Sequence, residues 1–134
     1  MRLLLLVSLL PALLGAERPP GLGDVADVRT WSHPDYPRVV IEWTEPAEAG
    51  DVQRLAAAAG QSERLYLDLD GIWVGRRWLA GVDVNDGLLQ RVRLGQNTKQ
   101  RARVVLDLER IDRYRVLQLR GPGRLGIDVD GDRR

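Results

Sequence analysis

The chain has 134 residues, 20 Lys+Arg against 19 Asp+Glu, and a formal net charge of +1. So near a balance lacks the basic excess that nucleic-acid binding draws on, and no nucleic-acid partner is expected. The absence of Cys and Phe excludes disulfides and a lipid-modified cysteine anchor, and leaves Leu, Val, Ile and four Trp to fill the core of a single domain.

Residues 1–16 read as a secretory signal peptide. Met1-Arg2 is a short positive start, Leu3 to Leu14 is an apolar run shorter than the ~20 residues a membrane-spanning helix needs, and Gly15-Ala16 offers small residues for cleavage. The mature chain is therefore expected in the periplasm or cell envelope, without a transmembrane segment. Its basic and acidic residues are equal at 19 each, because only Arg2 leaves with the leader. Lys99 is the only lysine, a bias that suits planar recognition of acidic groups and equally suits a GC-rich genome.

Residues 17–24 are Pro- and Gly-rich and read as a flexible lead-in. Asp24 to Trp31 alternates loosely as a strand. Ser32 to Pro37 must turn, since two prolines flank an aspartate. Arg38 to Trp43 alternates cleanly, with Val39, Ile41 and Trp43 on one face, and its closeness to the preceding strand predicts a hairpin. Asp51 to Leu55 reads as a short strand, and Ala56 to Ala59 as a strand end or single turn, too short for a helix before Gly60. Arg64 to Leu69 is a strand with Leu65, Leu67 and Leu69 inward. Ile72 to Gly87 shows no period and reads as a connector. Four more strands follow at 88–95, 102–108, 113–119 and 124–129, with Gly95-Gln96-Asn97 read as a turn, Gly121-Pro122-Gly123 as the last tight turn and 132–134 as a polar tail.

The four later strands repeat the plan of the first four. Arg38-Val39-Val40-Ile41-Glu42 answers to Arg103-Val104-Val105-Leu106-Asp107, and Arg64-Leu65-Tyr66-Leu67-Asp68 to Arg124-Leu125-Gly126-Ile127-Asp128. Short strands, frequent turns and no long helix predict an all-β domain: a sandwich of two related four-stranded sheets from an internal duplication, with a closed barrel as the alternative. In each of these four strands an Arg and an acid stand four residues apart. Alternation puts both on the outward face, but ~13 Å apart at ~3.3 Å per residue, so they cannot pair within a strand. Either they pair across strands on a solvated face, or they form an Arg-bearing face that binds a ligand.

These stretches, with Val28-Arg29-Thr30-Trp31, Val92-Arg93-Leu94-Gly95-Gln96 and the turn through Pro34-Asp35-Tyr36, resemble the two halves of the AMIN domain, the amidase N-terminal module. The resemblance covers about residues 25–131. The Ala-rich stretch and the connector holding Trp73 and Trp78 depart from the family's usual lengths. The resemblance implies a non-catalytic module of the bacterial envelope that binds peptidoglycan and places its host protein at the cell wall, often at the division septum. Divisome or other envelope proteins are further partners it allows. The alternative it raises is that the chain is the N-terminal portion of a zinc-dependent N-acetylmuramoyl-L-alanine amidase, acting in peptidoglycan cleavage and cell separation, whose catalytic domain lies outside this sequence.

No catalytic site, cofactor or metal site is expected within the chain. A catalytic zinc needs about three protein ligands, and His33 is the only histidine. The candidate ligand-binding residues are Trp31, Tyr36, Trp73 and Trp78, whose rings can stack on sugars, and Arg38, Arg64, Arg103 and Arg124, which can meet stem-peptide carboxylates bidentately. Trp43 is assigned to the core; the other three tryptophans suit core or surface equally.

Overall fold

The structure, a computed structural model, describes residues 18–44 and 47–131. The expected signal peptide and the 132–134 tail lie outside the described residues. Strands β1 (Gly23–Ser32), β2 (Pro37–Trp43), β3 (Glu48–Ala49), β4 (Gln53–Leu55) and β5 (Glu63–Asp70) come from the first copy. Strands β8 (Leu89–Thr98), β9 (Arg101–Leu108), β10 (Arg113–Leu119) and β11 (Gly123–Asp130) form the second. Between the copies lie β6 (Ile72–Trp73), the four-residue helix α1 (Arg76–Leu79) and β7 (Val82–Asp83).

Two sheets pack face to face. The first runs β10-β11-β2-β1-β6; the second runs β3-β5-β9-β8-β7, with β4 also paired to β5. Removing the two-residue strands leaves β10-β11-β2-β1 and β4-β5-β9-β8. These orders interchange when each strand is swapped for its counterpart in the other copy. The copies are thus interleaved: each sheet takes the opening hairpin of one copy and the closing strands of the other. Both central pairings, β2 with β11 and β5 with β9, join the two copies, so neither copy can complete a sheet alone.

Alternation sets which side chains meet inside. Val39, Ile41 and Trp43 of β2 and Leu125, Ile127 and Val129 of β11 face Leu65, Leu67 and Leu69 of β5 and Val104 and Leu106 of β9 in one core. The loose pattern of β1 has a local cause. A bulge between Val25 and Asp27 resets the parity, so Val25 and Val28 are both buried.

Gly95-Gln96-Asn97 is not a turn: β8 continues through it to Thr98, and the chain turns at Lys99-Gln100. A second bulge lies between Gln96 and Thr98. Gln96 is buried, and its amide donates to the carbonyls of Ile72 and Thr98 while its oxygen accepts from the Val74 N–H. It thereby fastens the aperiodic connector to the second sheet. The connector is anchored again by Trp78, which is buried and whose indole N–H donates to the Val25 carbonyl at 3.0 Å. Gly81 follows α1 at φ +74, with the Val92 carbonyl 2.7 Å from where a Cβ would stand; only glycine allows that approach. The Ala-rich stretch ends in a tight turn, with Ala58 and Gln61 exchanging both backbone hydrogen bonds.

Candidate functional site

The outward residues of the first sheet fall into rows across four strands. Arg115, Asp128, Arg38 and Trp31 form one row; Leu117, Gly126, Val40 and Arg29 form the next; Leu119, Arg124, Glu42 and Asp27 form the third. The middle row has no side chain at its centre. Gly126 opens a trough of about 510 Å³, lined by Arg29, Trp31, Arg38, Val40, Arg115, Val116, Leu117, Leu119, Arg124, Gly126 and Asp128. Its lining combines apolar groups with four guanidiniums and a single carboxylate.

The charges of this lining are unevenly held. Asp128 takes a bidentate pair from Arg38 at 2.6 and 2.9 Å and a further bond from Arg115 at 3.0 Å. The hydrogen bond from Arg38 outweighs partial burial and holds the Asp128 carboxyl below its ordinary pKa, and the same bond raises Arg38. Arg29 is looser, 3.3 Å from Asp27 and 3.5 Å from Glu42, with its guanidinium 5.8 Å from the Trp31 ring centroid. Arg124 faces Glu42 in register, yet its buried Nε has no hydrogen-bond partner. Trp31 is 48% exposed, and Leu117 and Leu119 are 59% and 43% exposed, so this apolar surface is open to solvent. A second cavity, lined by Trp31, Ser32, His33, Tyr36, Arg38 and Val40, continues the trough towards the Pro-flanked turn. There Tyr36 stacks on His33 at 4.6 Å.

The second sheet carries the matching rows with different contents. Asp68 faces Arg103; Gln53, Tyr66, Val105 and Arg93 form the middle row; Leu55, Arg64, Asp107 and Arg91 form the last. Tyr66 stands where the first sheet has Gly126, and the Arg103 guanidinium lies 4.6 Å from its ring centroid while binding Asp68 bidentately at 2.7 and 3.1 Å. Arg64, Val105 and Asp107 are buried. The centre of this face is filled.

The structure therefore brings Trp31, Tyr36, Arg38 and Arg124 together on one face and places Arg64 and Arg103 on the opposite one. Trp73 is half-buried on β6, at the far edge of the first sheet, and Trp78 packs in the core. The expected cross-strand pairing forms at Arg38–Asp128 and Arg103–Asp68. It fails for Arg124, and Asp107 binds Arg91 and Arg93 instead of Arg64. Arg29, Arg115, Leu117, Leu119 and Gly126 also line the trough and are not among the candidates that the sequence singles out. The signal for Gly126 was present: laying the two copies side by side sets this glycine against Tyr66.

Among the described residues, no three or more His, Cys, Asp or Glu side chains come together as a metal-ligand set, and no helix is long and apolar enough to cross a membrane. The described residues form an internally duplicated β-sandwich with one open outer face lined by arginines and apolar side chains. Residues 27–131 match the AMIN domain, and the chain belongs to that family. AMIN domains are peptidoglycan-binding modules of amidases and secretins and occur in envelope proteins. A search of curated proteins finds no match to the chain.

Proposed function

We propose that the chain is a non-catalytic module that binds peptidoglycan and holds its host protein at the wall of the bacterial envelope, and that it does so with the outer face of the first sheet. The observation that carries this reading is the trough at Gly126. Peptidoglycan offers sugar rings and short peptides bearing carboxylates. Trp31 presents an exposed indole face for a sugar, Leu117 and Leu119 give apolar contact, and Arg29 and Arg124 hold donors that their own acids do not fully occupy. The arginines sort by face, Arg38 with Arg124 and Arg64 with Arg103, and not by copy.

The test is to pellet purified protein with insoluble sacculi. The wild-type chain is expected in the pellet at low and moderate salt. Arg38→Gln with Arg124→Gln should weaken that binding by ~10-fold, about 1.4 kcal/mol. Arg101→Gln with Arg103→Gln, on the second sheet, should leave it unchanged. A wild-type chain that stays in the supernatant would refute wall binding; equal losses from the two pairs would refute the choice of face.

A further inference from the structure

The second sheet holds an excess of positive charge at one end of its outer face. Two guanidiniums, from Arg91 and Arg93, bind one carboxylate, and a third arginine, Arg64, stands opposite it on the neighbouring strand. Asp107 accepts from the Arg91 Nε at 3.1 Å and from the Arg93 Nε and Nη2 at 2.7 and 2.9 Å. Arg64 faces Asp107 in register and is only 2% exposed. Its Nε donates to the Ser62 carbonyl at 3.3 Å, and its Nη1 has no hydrogen-bond partner. A guanidinium cannot shed its proton, and burying it short of acceptors is unfavourable.

A cavity of about 340 Å³ opens at this cluster. It is lined by Gly60, Gln61, Ser62, Gln90, Arg91, Arg93 and Asp107, with no apolar side chain among them. The turn after the Ala-rich stretch supplies the first three, so the insertion builds one wall. Glu109, exposed and held by the Gln90 amide, is not part of the lining. The corresponding end of the first sheet differs: there the row of Arg124 holds two carboxylates, Glu42 and Asp27, and Arg29 lies within 3.5 Å of both. The excess is thus particular to the second sheet.

We propose that this cavity binds a phosphoryl group, with Arg91 and Arg93 donating to its oxygens and the buried Arg64 adding positive charge beside Asp107. A dianion matches two uncompensated guanidiniums, and a polar cavity of this size admits a small phosphate ester but offers nothing to an apolar group. The phosphoryl group has two sources, free phosphate or an ester carried on an envelope polymer.

Calorimetric titration of the purified chain with inorganic phosphate and with glycerol 1-phosphate, at constant ionic strength, tests the site. Saturable binding is expected, at least ~10-fold weaker in Arg91→Gln with Arg93→Gln, with sacculus pelleting unchanged in that variant. Tighter binding of the glycerol ester points to a polymer-borne group, and tighter binding of inorganic phosphate to the free ion. Should the double variant lose its circular-dichroism spectrum, Arg91→Gln alone serves, since that side chain is 55% exposed. No saturable heat with either ligand, or equal binding by a folded variant, overturns the proposal. Because the trough lies on the opposite sheet, such a failure leaves the wall-binding reading standing.

Discussion

The two outer faces are built from the same repeated phrase and come to opposite ends. At the centre of the second sheet's face, Tyr66 lies beneath the Arg103 guanidinium and Val105 is fully buried. At the corresponding place in the first, Gly126 and Val40 floor an open trough. The backbone pairing is the same in both, Tyr66 with Val105 and Gly126 with Val40. One side chain, present or absent, separates a face closed at its centre from one that leaves its arginines and tryptophan to solvent there. The repeated unit thus yields two equivalent surfaces, one filled at its centre and the other open there.

The largest expected effect of that division is at the acids Asp107 and Glu42, which occupy equivalent positions. Asp107 is buried and holds two arginines beside a third. Asp107→Ala should cost about 2 kcal/mol, because it removes the carboxylate that Arg91 and Arg93 bind and that the buried Arg64 faces, and should lower Tm by roughly 8 °C. Glu42 is looser, its one ion pair stretched to 3.5 Å, and Glu42→Ala should cost less than about 1 kcal/mol. Thermal unfolding of the two variants checks this; equal losses would mean that the second face is no more committed to stability than the first.

The central exchange comes next. Gly126→Tyr writes the second sheet's residue into the first. A Cβ at 126 would lie 3.8 Å from the Leu117 carbonyl oxygen and 3.9 Å from Val40 Cγ2, which is ordinary contact, and a tyrosine suits a strand better than glycine does. The fold should therefore be kept, with Tm unchanged or raised, while sacculus binding falls ~10-fold as the ring fills the trough. The reverse change, Tyr66→Gly, should lower stability by ~2 kcal/mol and leave sacculus binding intact. If Gly126→Tyr binds like wild type, the trough is not the site.

How much of this was legible depended on range. Strands with one apolar face, such as Arg38 to Trp43 and Arg64 to Leu69, announce themselves by alternation because the core selects every second residue. The connector does not. The burial of Ile72, Val74 and Trp78 is set by Gln96 and by the Val25 carbonyl, partners some twenty to fifty residues away that leave no local period. Likewise, the arginine-to-acid spacing foretold cross-strand pairs, and two form. It could not show that Arg91 and Arg93 would take Asp107 from Arg64, nor that two copies exchanging strand pairs between the sheets would sort the arginines by sheet.

The smallest effect separates the faces by acid. The Asp128 carboxyl is held below its ordinary value of 3.8, first by its hydrogen bond to Arg38, against partial burial and with help from Arg115. A group whose folded pKa is depressed contributes stability above its unfolded pKa and loses it as pH falls through the folded one. Asp128 should therefore add to stability at neutral pH, start to lose that contribution below about pH 4, and lose it fully only as pH falls through its own depressed pKa. Protonation would release both Arg38 and Arg115, two of the four guanidiniums lining the trough. In Asp128→Asn that contribution is absent at every pH, so urea midpoints measured at pH 7, 4 and 3 should fall less steeply than in wild type. The variant and wild type should draw closer as pH falls towards the depressed pKa of the wild-type carboxyl. Parallel pH profiles would show that the Arg38–Asp128 pair contributes nothing net to the first sheet's outer face.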